Sequence, residues 1–355
     1  MPQFFQFLIR RILAIPISFI IITMVLYAGV MLTPPMARAD LYFPKTNAPL
    51  TEKQIARLYE NIIEKYHLRD PYPVQYAYWL KSIFQGGWGY SATMNENVLP
   101  ALLQRTPATA ELTIFSILFF ITLGLVSGVL SGWRQNRAFD NSFRFLAFVA
   151  SSFPPFILSL LFLSIFYVYL RWFAPGRIDM TYSFQIFNPS WHAYTGMYSI
   201  DSLLNGRFDI FINSLRHLAM PVFTLSIFHW ATLGRITRST IISERHKDYI
   251  VAAQSRGLTD QRVIWNHVFW NTLAPSITSI ALSAASLITG VYVVEIIYNI
   301  QGVSAIMVRA IQMVPDAPAA LGFTLYSTLM VLLLMFILDI SQAIFDPRIR
   351  EDLVK

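Results

Sequence analysis

A short polar stretch between two apolar segments carries the side chains best suited to recognise a partner. Tyr249, Ala252, Ala253 and Arg256 recur at i, i+3, i+4 and i+7, so an aromatic hydroxyl, two small residues and a cation share one helical face. The small residues at the middle of this face allow another backbone to approach closely. Gly257 can adopt the left-handed conformation that ends a helix. The pattern predicts a helix, a glycine and a second helix, forming a surface in water that can dock another protein.

A second set of side chains lies in a long apolar segment and forms a narrow, mildly polar stripe at spacings of three and four. Such a stripe suits a water-filled pathway, and hydrogen bonding between helices is the alternative interpretation. Glu295, near the end of the same segment, is costly if it faces lipid. We expect it to face the bundle interior, to pair with a cation such as Arg309, or to contact a substrate. The small residues of the stripe are Ser276, Ser279, Ser283, Ser286 and Gly290.

Motifs for catalysis and for metal or nucleotide binding are missing from the sequence. The six histidines form neither a His-Glu-x-x-His motif nor another paired metal spacing, and there is no nucleophile elbow. The chain has no cysteine, which excludes disulfides and thiolate metal sites. The glycine-rich stretch Gly86-Gly87-Trp88-Gly89 lacks the Gly-Lys-Ser/Thr of a phosphate loop. We therefore expect no catalytic residue, no metal and no cofactor on this chain.

The composition is that of an integral membrane protein. Hydrophobic residues make up 55% of the chain and charged residues 13%, whereas soluble domains carry about 25% charged residues. In a membrane protein the net charge of +7 reflects topology and contact with anionic membrane lipid rather than nucleic acid.

Six segments meet the length of about 20 apolar residues that crossing a bilayer requires. The first is longer than a signal-peptide core and lacks a clean cleavage site, so we expect it to be retained. This division predicts an N-terminal span within residues 1–32, an insertion at 33–107 and a five-helix core at 108–355. The predicted spans are Leu8–Leu32, Ala108–Gly132, Ser142–Arg171, Leu215–Ile236, Leu273–Ile297 and Ala319–Phe345.

Charges in the loops predict the orientation, because short cytoplasmic loops are enriched in Lys and Arg. The loop at 237–272, which contains the polar stretch, is rich in arginine, and so are the sequences near both ends of the chain. We expect both termini and this loop to be cytoplasmic, and the segments 33–107 and 172–214 to lie outside. Thr51–Leu68 and Tyr76–Phe84 are expected to be helical parts of the first outer segment.

Two features inside the spans predict packing. Gly124, Gly128 and Gly132 recur every four residues and favour close helix contact in lipid. Pro154-Pro155 should kink the third span, because prolines remove helical hydrogen bonds.

Several motifs together resemble one family. Tyr249–Leu258, which reads YIVAAQSRGL, is similar to the "EAA" coupling loop of ABC importer permeases, and His267–Pro275 is similar to the continuation of that motif. Val293–Tyr298 followed by Gly302, and the ending Asp346–Arg350, resemble the dipeptide/oligopeptide branch. The chain departs from it at Ile300-Gln301, where many relatives carry Trp-Pro, and at the long stretch from 175 to 216.

The resemblance implies the six-helix fold of type I importer permeases in a bacterial or archaeal cytoplasmic membrane. It implies that ATP and Mg²⁺ are bound by two separate ATPase subunits, which dock on Tyr249, Ala252, Ala253, Arg256 and Gly257. A second related permease and an extracytoplasmic substrate-binding protein complete the assembly that it implies. The outer segment 172–214 is then either interfacial packing or a docking surface for that binding protein.

The same resemblance implies a translocation path along Ser279, Ser283, Ser286 and Glu295, and di- or oligopeptides as substrates. Nickel complexes and oligosaccharides stay open, because the branch includes such importers. A secondary transporter or channel is the alternative from another class. It would require coupling-ion residues at mid-membrane and broken helices related by repeats, and the sequence shows no such acidic cluster.

Overall fold

The protein is almost entirely helical in the computed structural model, which describes residues 2–43, 51–312 and 316–345. The ending Asp346–Arg350 and residues 44–50 of the predicted outer insertion lie outside the described residues. The α-helices are α1 (Pro2–Val30), α2 (Pro35–Ala39), α3 (Glu52–Lys65), α4 (Tyr72–Phe84), α5 (Val98–Trp133), α6 (Ala138–Ser152), α7 (Pro155–Phe162), α8 (Met180–Ile186), α9 (Tyr198–Leu204), α10 (Phe208–Arg245), α11 (Asp248–Ser255), α12 (Asp260–Val263), α13 (Phe269–Ile297), α14 (Ser304–Gln312) and α15 (Ala317–Phe345).

Short elements complete the chain between these helices. A 3₁₀ turn covers Asp40–Tyr42, and π-helical turns cover Leu163–Tyr169 and Ile264–Val268. A hairpin pairs β1 (Tyr90–Ser91) antiparallel to β2 (Glu96–Asn97).

Five helices in the described part of the chain are long and apolar enough to cross a membrane, and a sixth span results when one bent pair is counted as a single crossing. The predicted all-helical membrane fold is confirmed. The five are Ile9–Val30, Val98–Trp133, Phe208–Arg245, Pro275–Ile297 and Ala317–Ser341.

The third predicted span is broken rather than kinked. Ala138–Ser152 and Pro155–Tyr169 meet at an angle of 101°. Phe153 has φ −106° and ψ 127°, and Pro154 has φ −59° and ψ 145°. A residue that precedes proline is pushed out of the helical region, and here two successive residues precede one. The double proline therefore ends one helix and begins the next.

One compact unit is built mainly on Pro107–Gly302. Its core surrounds α10, which packs against α6, α7, α9 and α13. The predicted glycine stripe is confirmed as a packing surface: a Cβ on Gly128 would lie 2.7 Å from the backbone oxygen of Gly234, and Gly124 abuts Leu233. The stripe therefore brings the α5 and α10 backbones into close contact.

The other compact unit comprises Ile9–Thr106 and Val303–Leu333. Its aromatic core includes Tyr27 of α1 stacked on Trp79 of α4, with centroids 5.0 Å apart. The predicted helices after Thr51 and around Tyr76 are confirmed as α3 and α4, and a capping box at Thr51 begins α3. This unit groups most of the first helix with the insertion and with Val303–Leu333, and the division at 32 and 107 stays a prediction.

Candidate coupling site and translocation path

The polar stretch forms the predicted helix, glycine and helix. The helix α11 ends at Ser255, Gly257 has φ +79°, and α12 begins at Asp260. The amide of Leu258 donates to the carbonyl of Ala253, which closes the end of α11. A Cβ built on Gly257 meets nothing within 4 Å. Glycine is therefore favoured here by its backbone conformation and not by a lack of space.

The four residues predicted to share one face are divided by the fold. Ala253 is buried, whereas Ala252 and Arg256 are exposed and Tyr249 is 37% exposed. Ala253 belongs to a cluster inside this chain that fixes α11 on the ends of α5 and α10. Of the four, Tyr249, Ala252 and Arg256 are thus open to a partner, and Ala253 supports them from inside. The buried residues of that cluster are Val129, Trp133, Ile241, Ile250, Ala253, Val263, Ile264 and Val268.

Glu244, at the end of α10, anchors α11 through two bonds. The Tyr249 hydroxyl donates to its Oε2 at 2.6 Å, and the Lys247 Nζ lies 2.5 Å from its Oε1. The Asn271 amide of α13 donates to the same tyrosine oxygen at 2.9 Å. Burial, followed by the hydrogen bond to Glu244, raises the pKa of Tyr249. Tyr249 therefore connects α11 to the ends of two spans.

A second hydrogen-bond network connects the turn between α5 and α6 to α10. Asp140 is fully buried and accepts hydrogen bonds from Arg238 Nε at 2.5 Å and Nη2 at 2.8 Å, from Ser131 Oγ at 2.6 Å, and from the Asn136 amide at 2.9 Å. Removing one partner of a buried ion pair costs about 3–5 kcal/mol. This network fixes the ends of α5, α6 and α10 that are predicted to be cytoplasmic, and together these ends form a rigid base.

Trp133 extends this base to the coupling loop. Its indole Nε1 donates to Asp260 of α12 at 3.3 Å, and its carbonyl accepts from Arg245 Nη1 at 2.9 Å. The sequence analysis predicted none of these contacts, and it assigned no role to Trp133 or Glu244. The one local signal was the Glu244-to-Lys247 spacing of three, which is typical of a helical ion pair.

The serine stripe divides along α13. Ser276, Ser279 and Ser283 are buried, while Ser286 is exposed. The hydroxyls of Ser276 and Thr237 are 3.2 Å apart, so one end of the stripe does join α13 to α10. A role for Ser279, Ser283 and Ser286 in a path stays a prediction.

Glu295 is fully buried, and it belongs to the compact unit built mainly on Pro107–Gly302. Its carboxylate occupies the space beside Gly302, where an added Cβ would overlap it. The Ile300 amide donates to the Glu295 carbonyl at 2.8 Å, which closes the end of α13. The glutamate thus faces the interior, as expected, and a substrate contact stays a prediction.

The segment 172–214, which is predicted to lie outside, is folded around a buried carboxylate. Glu111 of α5 accepts from the Ser199 amide at 2.7 Å and from its hydroxyl at 2.6 Å, and it pairs with Arg177 at 2.7 Å. The Arg177 guanidinium also lies 3.8 Å from the centre of the Tyr198 ring. This network holds α9 against α5, so the segment presents a fixed surface.

Comparison with known proteins identifies the family. The sequence profile of the binding-protein-dependent transport system inner membrane component matches residues 120–351. The chain belongs to this family. It is 30% identical over 301 residues to the dipeptide transport system permease protein of Alkalihalophilus pseudofirmus, which covers 85% of this chain and 88% of that relative.

Two further relatives carry similar names. The oligopeptide transport system permease protein of Bacillus subtilis is 32% identical over 292 residues, covering 82% of this chain and 84% of the relative. The probable D,D-dipeptide transport system permease protein of Escherichia coli K12 is 32% identical over 291 residues, with the same two shares. The resemblance to the peptide branch of ABC importer permeases is therefore confirmed, and the chain is a multi-pass member of an inner-membrane permease family.

Proposed function

We propose that this permease imports di- or oligopeptides, driven by ATP hydrolysis on two separate ATPase subunits that bind ATP and Mg²⁺. The observation that carries the proposal is the similarity over more than four fifths of the chain to permeases named for dipeptide and oligopeptide transport. The anchored helix α11 supports the coupling part of it. Because α11 is bonded to the ends of α10 and α13, a push on it moves both spans together.

The ATPase subunit docks on the exposed side of α11, formed by Tyr249, Ala252 and Arg256. Ala253 and Gly257 contribute indirectly. Ala253 fixes the position of α11 and Gly257 fixes its end. The substrate passes along α13, past Ser279, Ser283, Ser286 and Glu295. An extracytoplasmic binding protein delivers the substrate, and a second related permease completes the path. Both termini and the coupling loop lie in the cytoplasm.

Uptake tests the substrate class. Cells that express this chain with its partner permease, ATPases and binding protein should accumulate radiolabelled di- or tetrapeptides, and cells that lack this chain should not. Competition by unlabelled peptide should reduce the signal. Accumulation of a nickel complex or an oligosaccharide, with no uptake of any peptide, would replace the peptide assignment and leave the importer assignment standing.

The docking surface is tested by Ala252→Asp, which places a charge on the exposed side of α11. We expect uptake to fall while the amount of protein in the membrane stays constant. Ala92→Asp is the matched control, because Ala92 is also exposed but lies in the predicted outer insertion. Equal uptake by both variants would contradict the docking assignment.

Topology is tested with single cysteines, since the chain has none of its own. Glu60→Cys on α3 should react with a membrane-impermeant maleimide in intact cells. Gln254→Cys on α11 should react only after the membrane is opened. The reverse pattern would overturn the proposed orientation.

A further inference from the structure

A polar cavity of about 530 Å³ lies where the broken third span ends and α10 begins. It opens beside several exposed aromatic side chains, and Tyr169 and Trp172 are 84% and 54% exposed. Tyrosine and tryptophan at the end of a span are typical of the headgroup level of a bilayer. Among the residues that line the cavity are Tyr167, Arg171, Trp172, Asp179, Arg216 and His217.

The charges around this cavity are unequal. Arg216 donates to the Trp172 carbonyl from Nε at 2.8 Å and from Nη2 at 2.5 Å. Both carboxylate oxygens of Asp179 have partners, which are the Asn213 amide at 2.5 Å and His217 Nε2 at 3.4 Å. The exposed Arg171 makes no side-chain hydrogen bond or ion pair with any residue that the structure describes. Two guanidinium groups and only one carboxylate, which is already bonded, thus line the cavity, so the cavity suits an anion.

An apolar groove of about 440 Å³ continues from the polar cavity, and both include Phe173. On α10, Leu215 and Leu218 line the groove, while Arg216 and His217 between them line the cavity. A second apolar hollow of about 390 Å³ extends the groove toward the break at Phe153. The hollow and the groove share three phenylalanines, which are Phe119, Phe162 and Phe223.

Contacts between rings hold this groove open. The ring centroid of Phe162 lies 5.4 Å from that of Phe223 and 5.7 Å from that of Phe166, and the centroids of Phe166 and Phe173 are 6.2 Å apart. Such aromatic pairs have centroid spacings that stabilise a fixed arrangement. The groove offers apolar walls with almost no hydrogen-bonding groups, which disfavours an extended peptide backbone as its occupant and suits a hydrocarbon chain.

We infer that this site binds an anionic glycerophospholipid. Its phosphate lies between Arg171 and Arg216, and one acyl chain follows the phenylalanine groove toward Phe153. Charge complementarity at one end, and a continuous apolar channel from that end, select a lipid over a free anion. The site is distinct from the coupling surface and from the proposed substrate path.

Native mass spectrometry of the assembled transporter, purified from membranes that contain phosphatidylglycerol and phosphatidylethanolamine, tests this inference. The wild-type complex should retain phosphatidylglycerol. Arg171→Gln should reduce the retained amount about fivefold, the effect of one surface arginine on anionic lipid. Ala219→Trp, which fills the groove without changing charge, should also release the lipid.

Two matched controls separate the site from general changes in the protein. Arg57→Gln removes another exposed arginine, and Leu282→Trp enlarges another exposed apolar residue, 66% exposed on α13. Both should retain wild-type amounts of lipid.

Lipid retention that Arg171→Gln and Ala219→Trp leave unchanged would overturn the inference, and so would a wild-type complex without phosphatidylglycerol. Cross-linking of Ala219→Cys to another protein subunit would also overturn it, because the groove would then be a protein interface. Retention of inorganic phosphate without lipid would show an anion site only, and would contradict the proposal as well. None of these readouts depends on which substrate is transported.

Discussion

Tyr249 is a structural anchor as well as a part of the exposed surface of α11. Its hydroxyl donates to Glu244 and accepts from Asn271, so one oxygen joins three helices. A partner on this surface therefore acts on a helix that cannot tilt without breaking these bonds. The strength of coupling should follow from the anchor as much as from the contact itself.

We predict that Tyr249→Phe lowers uptake per ATP hydrolysed about fivefold, since the loss of a typical hydrogen bond costs about 1 kcal/mol. The ring still packs, so the amount of assembled protein should not change. Parallel assays of uptake and ATPase activity in proteoliposomes measure the ratio. Tyr194→Phe is the control, because Tyr194 is 63% exposed. A ratio equal to wild type would show that the hydroxyl does not contribute to coupling.

The end of α11 depends on one backbone conformation. Gly257 has φ +79° and open space around it, so substitutions should follow conformational preference and not size. Placing an ordinary L-residue in this region costs about 1–2 kcal/mol, and asparagine is the best tolerated.

We predict that Gly257→Val exposes the α11 amides to hydrogen exchange and reduces uptake, whereas Gly257→Asn preserves both. Exchange mass spectrometry of the purified complex distinguishes the two variants. If valine and asparagine behave alike, the left-handed turn is not what fixes the helix end.

The contact between α5 and α10 depends on the small size of its glycines, rather than on their backbone conformation. Gly128 has the Gly234 carbonyl and the Thr237 side chain 2.7 Å from where a Cβ would lie, while Gly29 in α1 has nothing within 4 Å. Adding a methyl group to a tightly packed site costs about 1–3 kcal/mol.

Gly128→Ala should therefore lower the melting temperature of the detergent-purified protein by several degrees. Gly29→Ala should leave it unchanged or raise it slightly, because alanine favours a helix by about 1 kcal/mol. If Gly128→Ala had the same melting temperature as the wild-type protein, the α5–α10 contact would accommodate the added methyl group without loss of stability.

At the scale of the whole molecule, one carboxylate joins parts of the chain that are far apart in sequence. Asp316 precedes α15 and accepts from Ser91 Oγ at 2.6 Å, from Thr93 Oγ1 at 2.8 Å, and from the Thr93 and Ala319 amides at 3.1 and 3.0 Å. Burial raises the pKa of Asp316, but the hydrogen bonds from Ser91, Ala319 and Thr93 outweigh it, and the pKa is lowered.

A lowered pKa in the folded state gives stability that is present above the unfolded value of about 3.9 and is lost as the pH falls through the folded pKa. We predict that the Thr93 and Ala319 amides lose protection from hydrogen exchange as the pH falls below about 4. Asp316→Asn should reduce their protection at pH 7 and abolish its pH dependence. Asp70→Asn, at a half-exposed carboxylate, should alter neither, and an unchanged profile for Asp316→Asn would contradict the assigned role.

Local rules predicted much of this fold, and long-range contacts account for the rest. Thr51 directly precedes a helical pattern and Gly257 directly follows one. Their roles at a helix start and a helix end could therefore be derived from neighbouring residues. The inward side of Ala253 could not, because it depends on residues more than 100 positions away, such as Val129 and Trp133. Two successive prolines predict a kink, but the break of 101° lies between two helices, α6 and α7, that both pack against α10, and such long-range packing cannot be derived from neighbouring residues.

The break at Phe153 has a consequence for how the protein is made. Each arm of the bent pair has 15 residues and, at 1.5 Å per residue, reaches only about 22 Å, less than the ~30 Å of bilayer hydrocarbon. Neither arm can therefore settle across the membrane alone as it leaves the ribosome. Both pack on α10, which is synthesised later. We therefore expect stable integration of this piece to wait until α10 has been synthesised.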